Sequence, residues 1–93
     1  MTIDIPDDDP LDVASIAAKC RASVFGGLSK LSTQGCPADC AIVVDNQCAG
    51  RTPADDRAMT DGRKRVVVVC DGKTKKSKRL RFKDGATTTF SCR

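Results

Sequence analysis

The sequence predicts an α+β fold: a small, disulfide-stapled antiparallel sheet of three to four strands, with one main helix packed on it and a second short helix. Three observations carry this expectation. Apolar residues recur at helical spacing near the N-terminus, β-branched runs fill much of the C-terminal half, and six cysteines are spread from position 20 to position 92 of a 93-residue chain. A chain of this length buries only about two-thirds of the surface that its unfolded form exposes. It has no Trp or Tyr, and Phe25, Phe82 and Phe90 are its aromatics. Side-chain burial is therefore thin, and covalent cross-links have more to contribute.

Residues 1–9 are acidic and Pro-flanked and read as a flexible arm, leaving 10–93 as a single disulfide-rich domain. The main helix is expected over 10–25. Asp9 can cap it, Pro10 suits its first position, and Asp12 complements the positive end of its dipole. Val13, Ile16, Ala17, Cys20 and Val24 recur at helical spacing, and Gly26-Gly27 stops the run. Residues 28–40 are small and polar, with a turn at Gly35-Cys36-Pro37. The β-branched stretch 41–44, bounded by Asp45-Asn46, reads as a strand. Thr52, Pro53 and Asp55 have the cap, proline and acid of a helix start, which predicts a short helix over 53–59.

The last third reads as β. The valines at 66–69 are apolar on both sides of the pleat, which marks a strand covered on both faces or central in its sheet. Asp71-Gly72 turns the chain, and the lysine-rich stretch 73–78 reads as a loop or the frayed start of the next strand. Leu80 and Phe82 alternate with Arg79, Arg81 and Lys83, and Thr88, Phe90 and Cys92 alternate with Thr87, Thr89 and Ser91. A hairpin between these two segments unites its apolar side chains when Phe82 lies opposite Thr88 and Leu80 opposite Phe90. Its outer face then carries Arg79, Arg81 and Lys83 beside the threonines.

Charge is segregated along the chain. Residues 1–62 hold ten Asp against five Lys or Arg, a balance of −5, and residues 63–93 hold eleven Lys or Arg against two Asp, a balance of +9. The basic third, with Arg63, Lys75, Lys76, Arg79, Arg81 and Lys83, is the candidate partner-binding surface. Its complement is anionic: an acidic protein of a host or competitor, a cell-wall polymer or a membrane surface. A solvated face that keeps the protein soluble is the simpler use of the same residues.

The chain has no histidine. That removes Ser-His-Asp and Cys-His catalysis and Cys2His2 zinc sites. A four-thiolate zinc site from Cys36, Cys40, Cys48 and Cys70 is the alternative use of the cysteines, and would make the chain an intracellular adaptor. The C-x3-C spacing of its closest pair disfavours it. An even set, Cys20, Cys36, Cys40, Cys48, Cys70 and Cys92, reads instead as three disulfides, with Cys20 bridged to a strand cysteine and the full connectivity open. Asp55-Asp56 is a conceivable hydrolytic pair, but acids at a helix start have an electrostatic reason to be there. No catalytic residue, metal or cofactor is expected. A nucleic-acid-binding module, which the basic runs Arg63-Lys64-Arg65 and Lys73 to Lys83 would support, is disfavoured because Phe82 is the lone aromatic within them.

No apolar run approaches the roughly 18 residues needed to cross a bilayer. The first residues have neither the basic start nor the apolar centre of a secretory signal, so an exported protein would have lost its leader.

In its even cysteine set, small size and basic β region, the chain resembles the small secreted cysteine-rich proteins of fungi, among them plant-pathogen effectors and killer-toxin-like α/β proteins. The resemblance implies action outside the producing cell on a host or competitor, by binding rather than catalysis; the chain is separately expected to be a monomer.

Overall fold

The computed structural model describes residues 13–92. Among these residues the chain forms one helix, α1 (Val13–Lys19), and seven strands: β1 (Ser29–Gln34), β2 (Ala41–Val44), β3 (Gln47–Arg51), β4 (Arg57–Met59), β5 (Gly62–Cys70), β6 (Lys73–Phe82) and β7 (Thr87–Ser91). They build two sheets. One is four-stranded and antiparallel, in the order β3-β2-β5-β6, and the other is three-stranded, in the order β4-β1-β7. The fold is therefore a mostly β sandwich, and the expected α+β architecture with a main helix on a single sheet does not form.

The β2–β5 ladder is the centre of the molecule. Ile42 and Val44 on β2, with Val66 and Val68 on β5, face the three-stranded sheet and pack with Leu31, Met59, Phe82 and Phe90. Ala41, Val43, Val67 and Val69 face the other way, where Val13, Ala17 and Cys20 cover them. All four valines of β5 are at most 4% exposed. A strand between two apolar layers has no solvent side, so the expectation of a run covered on both faces holds. The turns on either side of this ladder are tight. Asp45 and Asn46 both have positive φ, as do Asp71 and Gly72, which is the backbone a two-residue hairpin with the native strand twist requires.

α1 stops at Lys19 rather than running to 25, and the positions expected at 10–12 lie outside the described residues, as does the acidic arm. The cause is tertiary. Arg51 donates from Nη1 to the carbonyls of Ala17 (3.5 Å) and Cys20 (2.9 Å), and from Nε and Nη2 to Asp39 Oδ1 (2.8 Å) and the Asp39 carbonyl (2.7 Å). It thereby caps the helix end with a side chain from β3. The chain then follows β3, with the Val24 N–H donating to the Cys48 carbonyl at 3.0 Å, and Val24 is 66% exposed instead of buried.

The short helix expected over 53–59 does not form either. Its backbone is taken by β1: the Ala54 N–H donates to Thr33 Oγ1 (2.9 Å), the Thr33 N–H donates to the Ala54 carbonyl (3.0 Å), and the Asp56 N–H donates to Ser32 Oγ (3.2 Å). Residues 57–59 then become β4. Thr52 does not cap a helix. Its hydroxyl accepts from the Cys40 N–H at 2.9 Å and donates to the Pro37 carbonyl, holding the loop before β2 against the end of β3.

The expected hairpin of 79–83 with 87–92 is also replaced. β6 pairs along its whole length with β5, including the lysine-rich stretch 73–78, while β7 pairs in parallel with β1. Phe82 and Phe90 still meet, but across the sandwich rather than within one sheet.

Three disulfides tie these layers together: Cys20–Cys48, Cys36–Cys92 and Cys40–Cys70. Each follows from pairing. Ala41 lies opposite Val69, so the next residues, Cys40 and Cys70, face each other with Cα atoms 4.6 Å apart, the spacing of a close antiparallel pair. Parallel β1 and β7 end at the same edge, which brings Cys36 and Cys92 together. Cys20 at the end of α1 reaches Cys48 on β3, fixing the helix to the outer face.

A non-reducing peptide map is expected to return these three pairs and no others. Replacing Cys36 and Cys92 by Ala opens the longest closed loop, with a sequence separation of 56 against 28 and 30. On the chain-entropy account this costs about 4 kcal/mol, against about 3.5 kcal/mol for either other pair. Urea unfolding of the three double variants checks the order.

Candidate basic anion-binding face

The outer face of the four-stranded sheet is covered by α1 only over its β2 side and the Cys70 end of β5. Towards Gly62 no described helix or strand covers the sheet, and there the strand period puts arginines on the outside. Arg63 lies opposite Arg81 and Arg65 opposite Arg79, on the same face as Val67 and Val69. Arg63, Arg79 and Arg81 are exposed and Arg65 is half-buried. With Asp45, Lys64 and Leu80 they line a groove of about 380 Å³.

The hydrogen-bond pattern brings these pairs close. The Arg65 N–H donates to Asp45 Oδ1 (3.0 Å), and the Arg65 carbonyl accepts from the Asp45 N–H (3.0 Å). The backbone of Arg65 thus points towards β2 and away from β6. Arg65 and Arg79 are therefore a non-hydrogen-bonded pair, and Arg63 and Arg81, two residues further, are another. The Arg81 carbonyl, turned away from β5, accepts instead from Thr88 Oγ1 at 3.1 Å. Pairs of this kind bring their Cα atoms to about 4.5 Å, closer than hydrogen-bonded ones.

Like charges directly opposite each other destabilise a sheet. Among the described residues no salt bridge neutralises these four. The ion pairs among the described residues are Arg51 with Asp39 and Lys64 with Asp45. Arg65 makes one further contact, from Nε to Ser77 Oγ at 3.4 Å. The lysines on the opposite face of the same strands are treated differently. Lys64 Nζ sits 5.7 Å from the centre of the Phe25 ring and Lys78 Nζ 5.8 Å from that of Phe90, within cation–π range. Partial burial, and then the neighbouring Lys78 charge, lower the pKa of Lys76 below the ordinary lysine value.

Of the residues expected to bind a partner, the fold unites Arg63, Arg79 and Arg81. Lys83 is exposed just past the end of β6. Lys75 falls at the irregularity in the β5–β6 register and has no opposite residue, while Lys76 lies across from Val68 on the inner face. Neither joins the arginine cluster. Thr87, Thr89 and Ser91, expected beside the arginines, belong to the other sheet. Arg65 was not singled out from the sequence. The signal for it is parity with Val67 and Val69, which only a known partner for each face makes readable.

The disulfides consume all six cysteines and leave no free thiol, so the thiolates that a zinc adaptor needs are not there. Asp55 and Asp56 are exposed in the bend before β4, and the acid lining the basic groove is Asp45. Among the described residues no helix is long and apolar enough to cross a membrane. No family model, curated protein sequence or solved structure matches the chain.

The like-charged cross-strand pairs carry a stability cost that a single charge change should relieve. Arg79→Glu turns one repulsive pair into an attractive one and is expected to raise unfolding stability by about 1 kcal/mol at low salt. Added salt should stabilise the wild type more than the variant, since screening removes repulsion in the first and attraction in the second. Urea unfolding at low and high salt measures both.

Proposed function

We propose that this protein is a secreted, non-catalytic binding protein of the effector or toxin-like kind, acting on a host or competitor cell through its basic β face. The observation that carries the reading is the set of four arginines held in close cross-strand pairs, to which no described residue gives a salt bridge. A fold that tolerates such repulsion gains from it when an anionic partner supplies the missing charge. The three disulfides support an extracellular site of action, because such bridges form and persist in oxidising compartments. They also supply rigidity, so the face meets its partner preformed and loses little conformational entropy on binding. An acidic protein, a cell-wall polymer and a membrane surface all offer the required charge.

Nucleic acid offers it too, but Phe25 and Phe90 lie beneath lysines on the inner side and Phe82 is 1% exposed. The face has no aromatic platform on which bases could stack.

The test is retention of labelled protein on target cell surfaces. The triple variant Arg79→Glu, Arg81→Glu, Lys83→Glu is expected to lose at least about tenfold in retention with its fold intact, and wild-type retention to fall with salt. Unchanged retention removes the basic face from the function. Tight binding to single-stranded DNA at physiological salt, with none to cells, favours the nucleic-acid reading instead.

A further inference from the structure

On the Gly62 side of the register irregularity at Lys75, the cations of the β5–β6 hairpin are sorted by kind as well as by side. The outer-face positions in the groove are all arginine, at 63, 65, 79 and 81, whereas the inner-face cations at 64, 76 and 78 are all lysine. Charge alone does not account for this, since either residue supplies it. What arginine adds is a rigid planar fork that binds an oxyanion through two parallel hydrogen bonds.

The geometry selects among oxyanions. Each cross-strand pair roots two guanidinium side chains on one face, from backbones about 4.5 Å apart. A carboxylate has two oxygens and one negative charge, which satisfies a single fork. A phosphate has three terminal oxygens and up to two charges, so it can bridge both forks of a pair. The two pairs are two residues apart along the strands, a step of about 6.7 Å, so a second phosphate attached close to the first falls within reach of the second pair. The groove of about 380 Å³ suits a compact head of this kind rather than a bulky strand.

We propose that this groove recognises a ligand carrying two adjacent phosphate groups, one held by Arg63 and Arg81 and the other by Arg65 and Arg79. An oligophosphate chain and the head group of a bisphosphorylated lipid share this chemistry. The inference rests on the basic face being the binding face and narrows its partner. Asp45 tunes the site. Its carboxylate accepts from the Arg65 N–H and lies 4.0 Å from Lys64 Nζ, and it opposes a phosphate while holding the strand that presents the arginines. Asn at this position keeps the carbonyl acceptor and tolerates the positive φ of the turn, which is 49° at Asp45.

Titration calorimetry of the full chain at constant ionic strength tests the proposal with tripolyphosphate, orthophosphate, citrate and an oligo-aspartate peptide. Tripolyphosphate is expected to bind about tenfold or more tighter than orthophosphate, because its second phosphate binds intramolecularly, and tighter than citrate or the peptide. The double variant Arg65→Lys, Arg79→Lys keeps the charge and removes the forks. It should lose about tenfold for tripolyphosphate while its affinity for oligo-aspartate and its unfolding midpoint stay near wild type. Asp45→Asn should tighten tripolyphosphate binding about threefold. Equal affinity for citrate, peptide and tripolyphosphate, or an unaffected lysine variant, overturns the phosphate assignment and leaves the general anionic reading standing. Failure of every anion to bind overturns both. Vesicles carrying a bisphosphorylated phosphoinositide, compared with phosphatidylserine vesicles of matched charge, separate the sources: selective retention on the first identifies a lipid head group, and tripolyphosphate binding without it identifies a soluble phosphate.

Discussion

The β2–β5 ladder, apolar on both faces, is the constraint on which the rest of the molecule depends. Residues 41–44 and 66–69 are buried without exception, and a sheet with two apolar faces needs a layer on each side. The three-stranded sheet provides one, built around Leu31, Met59 and Phe90, and α1 provides the other with little more than Val13, Ala17 and Cys20. Neither layer is large. The disulfides lie around the ladder's margins, one joining β2 directly to β5, one fixing α1 over the outer face through β3, and one sealing the end of the three-stranded sheet. They hold in place covers that have too little apolar area to stay put alone.

The candidate site is a consequence of where that cover stops. β5 runs 9 residues and β6 runs 10, while α1 has 7. Among the described residues the strands outrun the helix, and of the outer positions beyond it Arg63, Arg79 and Arg81 are exposed and Arg65 is half-buried. Those are the positions that hold arginine. On the inner side the same strands also carry cations, but each of Lys64 and Lys78 finds an aromatic ring. Among the described residues the four outer arginines have neither an aromatic ring nor a salt bridge, which is the contrast on which the proposed anion-binding role rests. β6 is also an edge strand, and its dense positive charge guards it against pairing with another copy.

Part of this was legible in the residues themselves. The unbroken valine run announced a strand buried on both sides, and Asp45-Asn46 and Asp71-Gly72 announced the turns that fold it against its neighbours. The cysteine count announced cross-links, and the basic C-terminal third announced Arg63, Arg79 and Arg81 as surface cations. The errors share one origin. The helix over 10–25, the helix over 53–59 and the hairpin of 79–83 with 87–92 were each inferred from short-range grammar, and in each a distant strand competed for the same backbone groups. Arg51 closed the first helix, Ser32 and Thr33 of β1 took the donors of the second, and β5 and β1 separated the two arms of the hairpin. β1 itself, with Leu31 as its single large apolar residue, carried too weak a periodicity to be read.

By itself, the sequence determined that the chain has a doubly buried strand, tight turns beside it, sulfur enough for three bridges, and a cationic end. These properties depend on residue type and on neighbours within a few positions. The two sheets, the cysteine pairing and the grouping of Arg65 with Arg63, Arg79 and Arg81 came from the folded chain alone. Those depend on register between strands far apart in the chain, and a shift of one residue in any ladder would have turned every side chain on it to the opposite face.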